Sequence, residues 1–301
     1  MEFGKIPETE LDKMSCSLPE DPKGTTEVLK KGKGNTQFYI GCAKWGRKDW
    51  IGKLYPKGTK EKDFLHYYAR QFNSIEFNGF FYSQHSREQV EKWVAAVPEG
   101  FIFCPKLTQS ITHLRRLQNA HQEVGSFLNI VSAFGTHLGP IFLMPHPQMA
   151  VNKLPVIEQF IQDMPVDVEL FLELRHEEWY ASPGGYNPEL YGFLRQAKRG
   201  TVITDAAGRR DCVHMHLSTA ECFIRFVGNG LHPTDYTRID EWVARIKTWM
   251  KLGLEKCYFF MHQHDELHSP ELISYLINRL NKECGTAIPA PQLIAENGSL
   301  F

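Results

Sequence analysis

The stretch VELFLELRHEEWY, Val168 to Tyr180, alternates with a period of two through its first eight positions. That period marks a β-strand, whose successive side chains point to opposite faces. Val168, Leu170, Leu172 and Leu174 share one face, while Glu169, Phe171, Glu173 and Arg175 share the other. A carboxylate and a guanidinium are seldom buried unless paired or put to use. A strand ending in that pair therefore points to something built on its second face.

Working outward, similar short apolar runs recur along the chain: FYIGCAK (38–44), SIEFN (74–78), FIFCPKL (101–107), GPIFLMP (139–145), GTVITD (200–205), CFIRFVG (222–228) and CYFFMH (257–262). Most gaps between them hold an amphipathic helical stretch, such as EKDFLHYYARQF, REQVEKWVAAV, LPVIEQFIQDM, PELYGFLRQAK or IDEWVARIKTWMKLG. Strands alternating with helices imply parallel βαβ units. With the opening stretch there are eight strand candidates, which match a (β/α)8 TIM-type barrel. A doubly wound open sheet is the alternative. Against it, the turn after the first strand reads GCAKWGRKDW and lacks the GxGxxG phosphate fingerprint. The expected organisation is a single barrel domain over 37–285, an N-terminal arm or linker over 1–36 and a C-terminal tail over 286–301. The arm mixes Pro, Gly, Lys and Thr without a sustained apolar period, so one short helix and no core of its own are expected there. Its Lys30, Lys31 and Lys33 read as a solvated linker.

Composition narrows the function classes. Apolar residues at 42% and charged residues at 23% are ordinary for a globular protein. A net charge of -1 gives no global reason to expect nucleic acid or an anionic membrane as partner. No apolar run approaches the roughly 18 residues of a transmembrane helix. The first residues, MEFGKIPETELDKMSC, lack the apolar core of a secretory signal. The seven cysteines are scattered, without a CxxC pair, and Cys42, Cys104, Cys222 and Cys257 lie inside apolar runs. Buried free thiols in a reducing, cytoplasmic setting are expected, and no cysteine-bound zinc.

Alternation then orders the polar residues. With the apolar set facing the helices, Glu76 and Asn78 point inward from the second strand, Lys106 from the third, and Glu173 and Arg175 from the fifth. Arg225 points inward from the seventh strand, His262 and then His264 from the eighth, and Asp205 ends the sixth. Nearly all fall in the last third of their strands, which in such a barrel is the mouth that carries the active site.

Several of these segments resemble the YecE-like family, also called domain of unknown function 72. The resemblance runs over about residues 38 to 280. It rests on YIGCAKW, DWIGKLYP, YYARQFNSIEFNGFFY, VPEGFIFCPKLTQSITHLRRL, LGPIFLMP, LELRHEEWY, CFIRFVG and CYFFMH in the family's order. It implies a TIM-type barrel, with recurrent polar positions at Trp45, Glu76, Asn78, Tyr82, Lys106, Thr112, His113, Glu173, Arg175 and Arg225. Three departures sit at the expected mouth: Cys42-Ala43-Lys44 before the first tryptophan, His146 in LMPHP, and His262-Gln263-His264 after the eighth strand. The resemblance speaks to fold and pocket rather than to reaction.

The expected function is an enzyme on a small anionic, phosphate- or carboxylate-bearing substrate. Glu173 and Glu76 are the expected acid–base groups, with His113 as a further catalytic candidate. Trp45, Asn78, Tyr82, Lys106, Thr112, Arg175, Arg225 and His262 are expected to bind the substrate. No cofactor is expected. A metal-dependent phosphodiesterase or sugar-isomerase-like enzyme is one alternative, because Glu76, Glu173, Asp205 and His262 imitate its ligand set and His214 and His216 share a face. The crowd of cations at the mouth opposes a divalent ion there. A non-catalytic ligand-binding barrel is the other alternative.

Overall fold

Eight parallel strands lie in the computed structural model, which describes residues 3–181 and 187–294. They are β1 (Gln37–Cys42), β2 (Ser74–Phe77), β3 (Ile102–Pro105), β4 (Ile141–Leu143), β5 (Leu170–Leu172), β6 (Gly200–Asp205), β7 (Glu221–Gly228) and β8 (Lys256–Gln263). Each falls on one of the period-two runs. Helices Phe64–Tyr68, Arg87–Ala96, His121–Val131, Leu154–Asp163, Pro188–Gln196 and Pro233–Leu252 connect them, and Ser269–Cys284 follows β8. Of the expected tail 286–301, residues 295–301 lie outside the described residues.

The expected unbroken eight-strand ladder is seen only in part. Six strands form a curled sheet in the order β1-β8-β7-β6-β5-β4, and β2 pairs with β3 in a separate two-stranded sheet. Side chains explain the seam between β1 and β2. The Asn73 amide accepts from Ile40 N at 2.8 Å and donates to Phe38 O at 2.7 Å. The Tyr68 hydroxyl accepts from Cys42 N at 2.7 Å and donates to Ser74 O at 3.0 Å. These contacts use the backbone groups that a ladder would otherwise pair. Between β3 and β4, Gly139 N donates to Phe103 O at 2.8 Å and Leu107 N to Phe142 O at 3.1 Å, with isolated parallel bridges rather than a continuous ladder.

The alternation holds. Cys104, Phe142, Phe171, Val202, Phe223, Tyr258 and Phe260 form an inner cluster of their own. Ile75, Phe103, Ile141, Leu170, Leu172, Leu174, Ile203, Ile224 and Phe259 belong to the larger cluster under the helices. At the N-terminal ends of the strands, Lys256 pairs with Glu169 and, at 3.1 Å, with Glu221. All seven thiols are free, and Cys42, Cys104, Cys222 and Cys257 are buried.

Parity also corrects one expectation. Val202 is in the inner cluster, so Thr204 faces inward and Asp205 outward. Asp205 accepts from Arg238 Nη1 and from Trp242 Nε1, both at 2.7 Å, and pairs with Arg210. It therefore sits in the helix layer rather than at the mouth.

Between β6 and β7 the only helical element among the described residues is the turn Arg210–Cys212. The N-terminal helix Lys23–Leu29 packs over that gap. Thr25 Oγ1 donates to Met215 O at 2.8 Å and accepts from Leu217 N at 2.9 Å. Asp21 pairs with Arg245 and accepts from Trp249 Nε1 at 2.9 Å. No strand forms before Gln37 among the described residues, and Leu18 and Leu29 join the core cluster under the helices.

One glycine carries the tightest approach at the β1–β2 seam. A Cβ on Gly41 would lie 1.9 Å from Ser74 O and 2.7 Å from the Tyr68 hydroxyl. Gly41→Ala is expected to destabilise the protein by about 3 kcal/mol, because backbone must shift to admit the methyl group. Gly46, whose Cβ would meet nothing within 4 Å, is the control and should accept alanine within about 0.5 kcal/mol. Urea unfolding of the two variants checks both values.

Candidate functional site

Arg225, inward on β7, reaches two carboxylates that belong to different sheets. Its Nε and Nη2 donate to Glu76 Oε2 and Oε1 at 2.7 and 2.9 Å. Its Nη1 donates to both Glu173 oxygens at 2.7 and 2.8 Å. Glu76 lies on β2; Glu173 follows β5, and its N–H donates to Leu143 O at 2.8 Å, one step beyond the assigned strand. All three side chains are almost fully buried, with exposures of 2%, 0% and 1% for Arg225, Glu76 and Glu173.

A second ring of groups completes the carboxylates. Arg175 donates Nε and Nη2 to Glu173 Oε1 at 3.0 and 2.9 Å, and Thr204 Oγ1 donates to the same oxygen at 2.9 Å. Asn78 donates to Glu76 Oε1 at 2.8 Å. His262 Nε2 lies 2.9 Å from Glu76 Oε2, and its Nδ1 lies 3.5 Å from Glu266 Oε1. Ser269 Oγ in turn donates to Glu266 Oε2 at 3.1 Å.

Charge pairing sets the protonation states. Burial alone would raise the pKa of Glu173, but Arg175, Arg225 and Lys106 hold it down at about 2. Burial likewise opposes the charge on Glu76, and Arg225 with His262 outweighs it, leaving the group well below the ordinary range. Burial works against His262 too; Glu76 overrides it and raises the imidazole above its usual value. Both glutamates are therefore ionised at neutral pH.

Lys106 is different. It is 5% exposed and projects from the end of β3. Its Nζ lies 3.5 Å from Met144 Sδ and 4.1 Å from the centre of the Phe81 ring. Among the described residues it has no ion pair. Burial, and then the charge of Arg225, lower its pKa to about 7.

The remaining expected residues divide. His113 and Thr112 sit on the π-helical turn Ser110–Leu114, where Thr112 Oγ1 lies 2.9 Å from His113 Nδ1. The His113 ring meets Phe81 edge-on at 5.0 Å, and burial followed by the Lys106 charge lowers its pKa to about 4. Trp45 is not brought to the cluster: it stacks on Phe77 at 5.0 Å within the layer under the helices. Tyr82 is 77% exposed beyond Phe81. His264 reaches Asn229 Oδ1 at 3.3 Å rather than the carboxylates. His214 is turned to Val202 O at 3.1 Å, and His216 stacks on Tyr191 at 4.1 Å. Sequence reasoning missed Thr204, Glu266, Phe81 and Met144. Thr204 shares the inward parity of Val202, and Glu266 stands four residues after His262, so those two carried a signal. Phe81 and Met144 show only in the packing.

A family model described as "Protein of unknown function DUF72" matches residues 39–294. The chain belongs to this family. UPF0759 protein YecE of Escherichia coli (strain K12) is 28% identical over 285 residues, an alignment spanning 88% of this chain and 100% of the relative. Two solved DUF72 family proteins share the fold. The one from Thermotoga maritima MSB8 has a TM-score of 0.63 at 19% identity, covering 83% of this chain and 100% of its own. The one from Enterococcus faecalis V583 has a TM-score of 0.61 at 15% identity, covering 87% and 100%. At those identities the likeness speaks for fold alone. In this DUF72 chain no helix among the described residues is long and apolar enough to cross a membrane.

Removing the shared cation should be costly. Arg225→Met leaves two buried carboxylates without their main partner, and a loss of about 3–5 kcal/mol at pH 7 is expected. The pH dependence gives a second readout. A depressed glutamate pKa contributes stability that is present above the ordinary range near 4.5 and is lost as pH falls towards about 2. The wild type should weaken across that window, whereas Arg225→Met should regain part of its loss as the stranded carboxylates take up protons. Denaturant titrations between pH 7 and pH 3 distinguish the two profiles.

Proposed function

We propose that the chain is a (β/α)8-type enzyme that acts on a small anionic carbonyl compound through a covalent imine at Lys106. In this reading the two sheets work as one barrel with a shared mouth over residues 37–285. The observation that carries it is the Lys106 amine, buried against Phe81 beside Arg225 with no carboxylate partner among the described residues. A lysine in water is almost wholly protonated at neutral pH and has no lone pair to offer. A buried amine beside another cation gives up its proton near neutrality, which is how imine-forming lysines are activated.

The chemistry follows from that amine. Its lone pair adds to the substrate carbonyl carbon, the carbonyl oxygen leaves as water, and the protonated imine then draws electrons from an adjacent C–H or C–C bond. His113 is neutral at pH 7, meets Phe81 edge-on and feels the Lys106 charge, so it is the candidate to carry protons to and from the departing oxygen. Arg175, with Nη1 not hydrogen-bonded to any described residue, supplies charge for the anionic group. Glu76 and Glu173, the acid–base pair expected from sequence, take another part here. Ionised and fully hydrogen-bonded, they are weak bases, and they hold Arg225 and Arg175 in place.

A metal-dependent reading has less to draw on. Asp205 faces the helices, and Glu76 and Glu173 are spent on Arg225. Among the described residues no group of three or more His, Cys, Asp or Glu is placed to hold an ion.

Imine trapping tests the proposal. The protein is incubated with 2-oxo acids and phosphorylated aldehydes, reduced with borohydride, and digested for mass spectrometry. The expected result is a mass gain on the peptide carrying Lys106, faster as pH rises through about 7 and absent in Lys106→Met. Label spread over surface lysines, or equal label in Lys106→Met, would sink the proposal. Tight binding of these compounds with no trapping at Lys106 would make the chain a ligand-binding barrel.

A further inference from the structure

The mouth carries a second arrangement, which shares Arg175 with the imine chemistry and otherwise uses residues that chemistry leaves idle. Phe3, near the start of the chain, lies with its ring centre 4.1 Å from the Arg175 guanidinium carbon and 5.1 Å from that of Arg209. We infer that Arg175 and Arg209 form a stacking slot for a planar aromatic acid at the barrel mouth, and that Phe3 occupies this slot in competition with the ligand. The inference narrows the substrate class of the proposed function, but it stands on contacts that do not involve Lys106.

Both guanidiniums are held rigidly. Arg175 is fixed by the two bonds from Nε and Nη2 to Glu173. Arg209 donates Nε and Nη2 to the Asp211 carboxylate, and Nη2 also donates to the Arg175 carbonyl oxygen at 3.0 Å. That last bond ties the two arginines into one unit. In each, Nη1 makes no hydrogen bond to any described residue. Two fixed cations thus offer their planes to a ring and one donor apiece to an anion. Guanidinium planes stack readily on aromatic rings, and their fork geometry suits a carboxylate.

Phe3 satisfies half of that description. It supplies the ring and no acid. The backbone around it is fitted to the loop after β6: Gly208 N donates to Gly4 O at 2.8 Å. Gly4 has φ +68, and a Cβ there would fall 2.5 Å from the Ala206 Cβ. A Cβ on Gly208 would fall 2.6 Å from Ile6. The segment from Phe3 to Ile6 therefore packs closely on the loop 206–208 that leads into Arg209. Glu173 is the shared partner of Arg175 and Arg225, so Arg175 links the slot to the carboxylate cluster.

A tethered occupant lowers the apparent affinity of any free ligand for the same place, and deleting its ring removes that handicap. The probe is 2-naphthoate, which carries a planar ring and a carboxylate but no aldehyde or ketone. Its binding reports the slot whether or not Lys106 forms an imine, so failure here and failure of the imine proposal are told apart. Calorimetric titration of the 301-residue chain is expected to show naphthoate binding at least fivefold more tightly to Phe3→Ala than to the wild type. Adding Arg209→Leu to Phe3→Ala should abolish that gain, and cyclohexanecarboxylate, which is not planar, should show none. Phe3→Leu keeps the apolar bulk without the ring and should fall between wild type and Phe3→Ala. That variant decides the matter if circular dichroism shows Phe3→Ala to be misfolded. Equal affinity in the wild type and the folded Phe3 variants, or a gain that survives Arg209→Leu, overturns the inference.

Discussion

One guanidinium bridges the two sheets of this protein across their interior. Arg225 belongs to the six-stranded sheet, and Glu76 to the two-stranded sheet that no continuous ladder joins to it. Four hydrogen bonds run from Arg225 to Glu76 and Glu173. Buried ion pairs are poor evidence for net stability, since desolvation can cancel the attraction. This one is satisfied on almost every oxygen, by Arg175, Thr204, Asn78 and His262 as well as by Arg225. A cluster completed to that degree fixes positions, and any neighbour it leaves out has to live with its field.

Lys106 is that neighbour. Arg225 is held charged by two carboxylates, and among the described residues no carboxylate forms an ion pair with the lysine amine. The amine is left with a thioether, the face of Phe81 and the repulsion of Arg225. Burial first, and then the Arg225 charge that helps keep Glu76 and Glu173 ionised, push Lys106 towards neutrality. In the proposed function these are two consequences of one charge distribution, with the carboxylates as scaffold and the amine as the reacting group.

The N-terminal residues contribute in an unexpected way. A parallel crossover normally buries its strand pair under a helix. Between β6 and β7 the chain has only a short turn, and the helix Lys23–Leu29 from the leader covers the opening instead. The same leader then brings Phe3 to Arg175. One segment thus both packs over the gap between β6 and β7 and reaches Arg175.

Period-two alternation in VELFLELR and its counterparts determined which side of each strand is apolar, and hence that Glu76, Lys106, Glu173, Arg225 and His262 face inward. That much is local, because strand geometry alone assigns opposite faces to neighbouring residues. Asp205 ends its strand as the others do, but the parity of Val202 turns it to the helix layer. The resemblance in motif order brought the family and the parallel α/β fold with it. What the chain does at the seams depended on partners far away in sequence: Asn73 and Tyr68 occupying backbone groups of β1, Thr25 bonding to the segment before β7. The chemical division within the cluster was equally out of reach. Glu173 and Lys106 are both inward charged residues at strand ends, and nothing local says that one is fully paired and the other is not. Only the tertiary structure decides that, because pKa depends on which charges and how much water surround a group, and those are set by every strand at once.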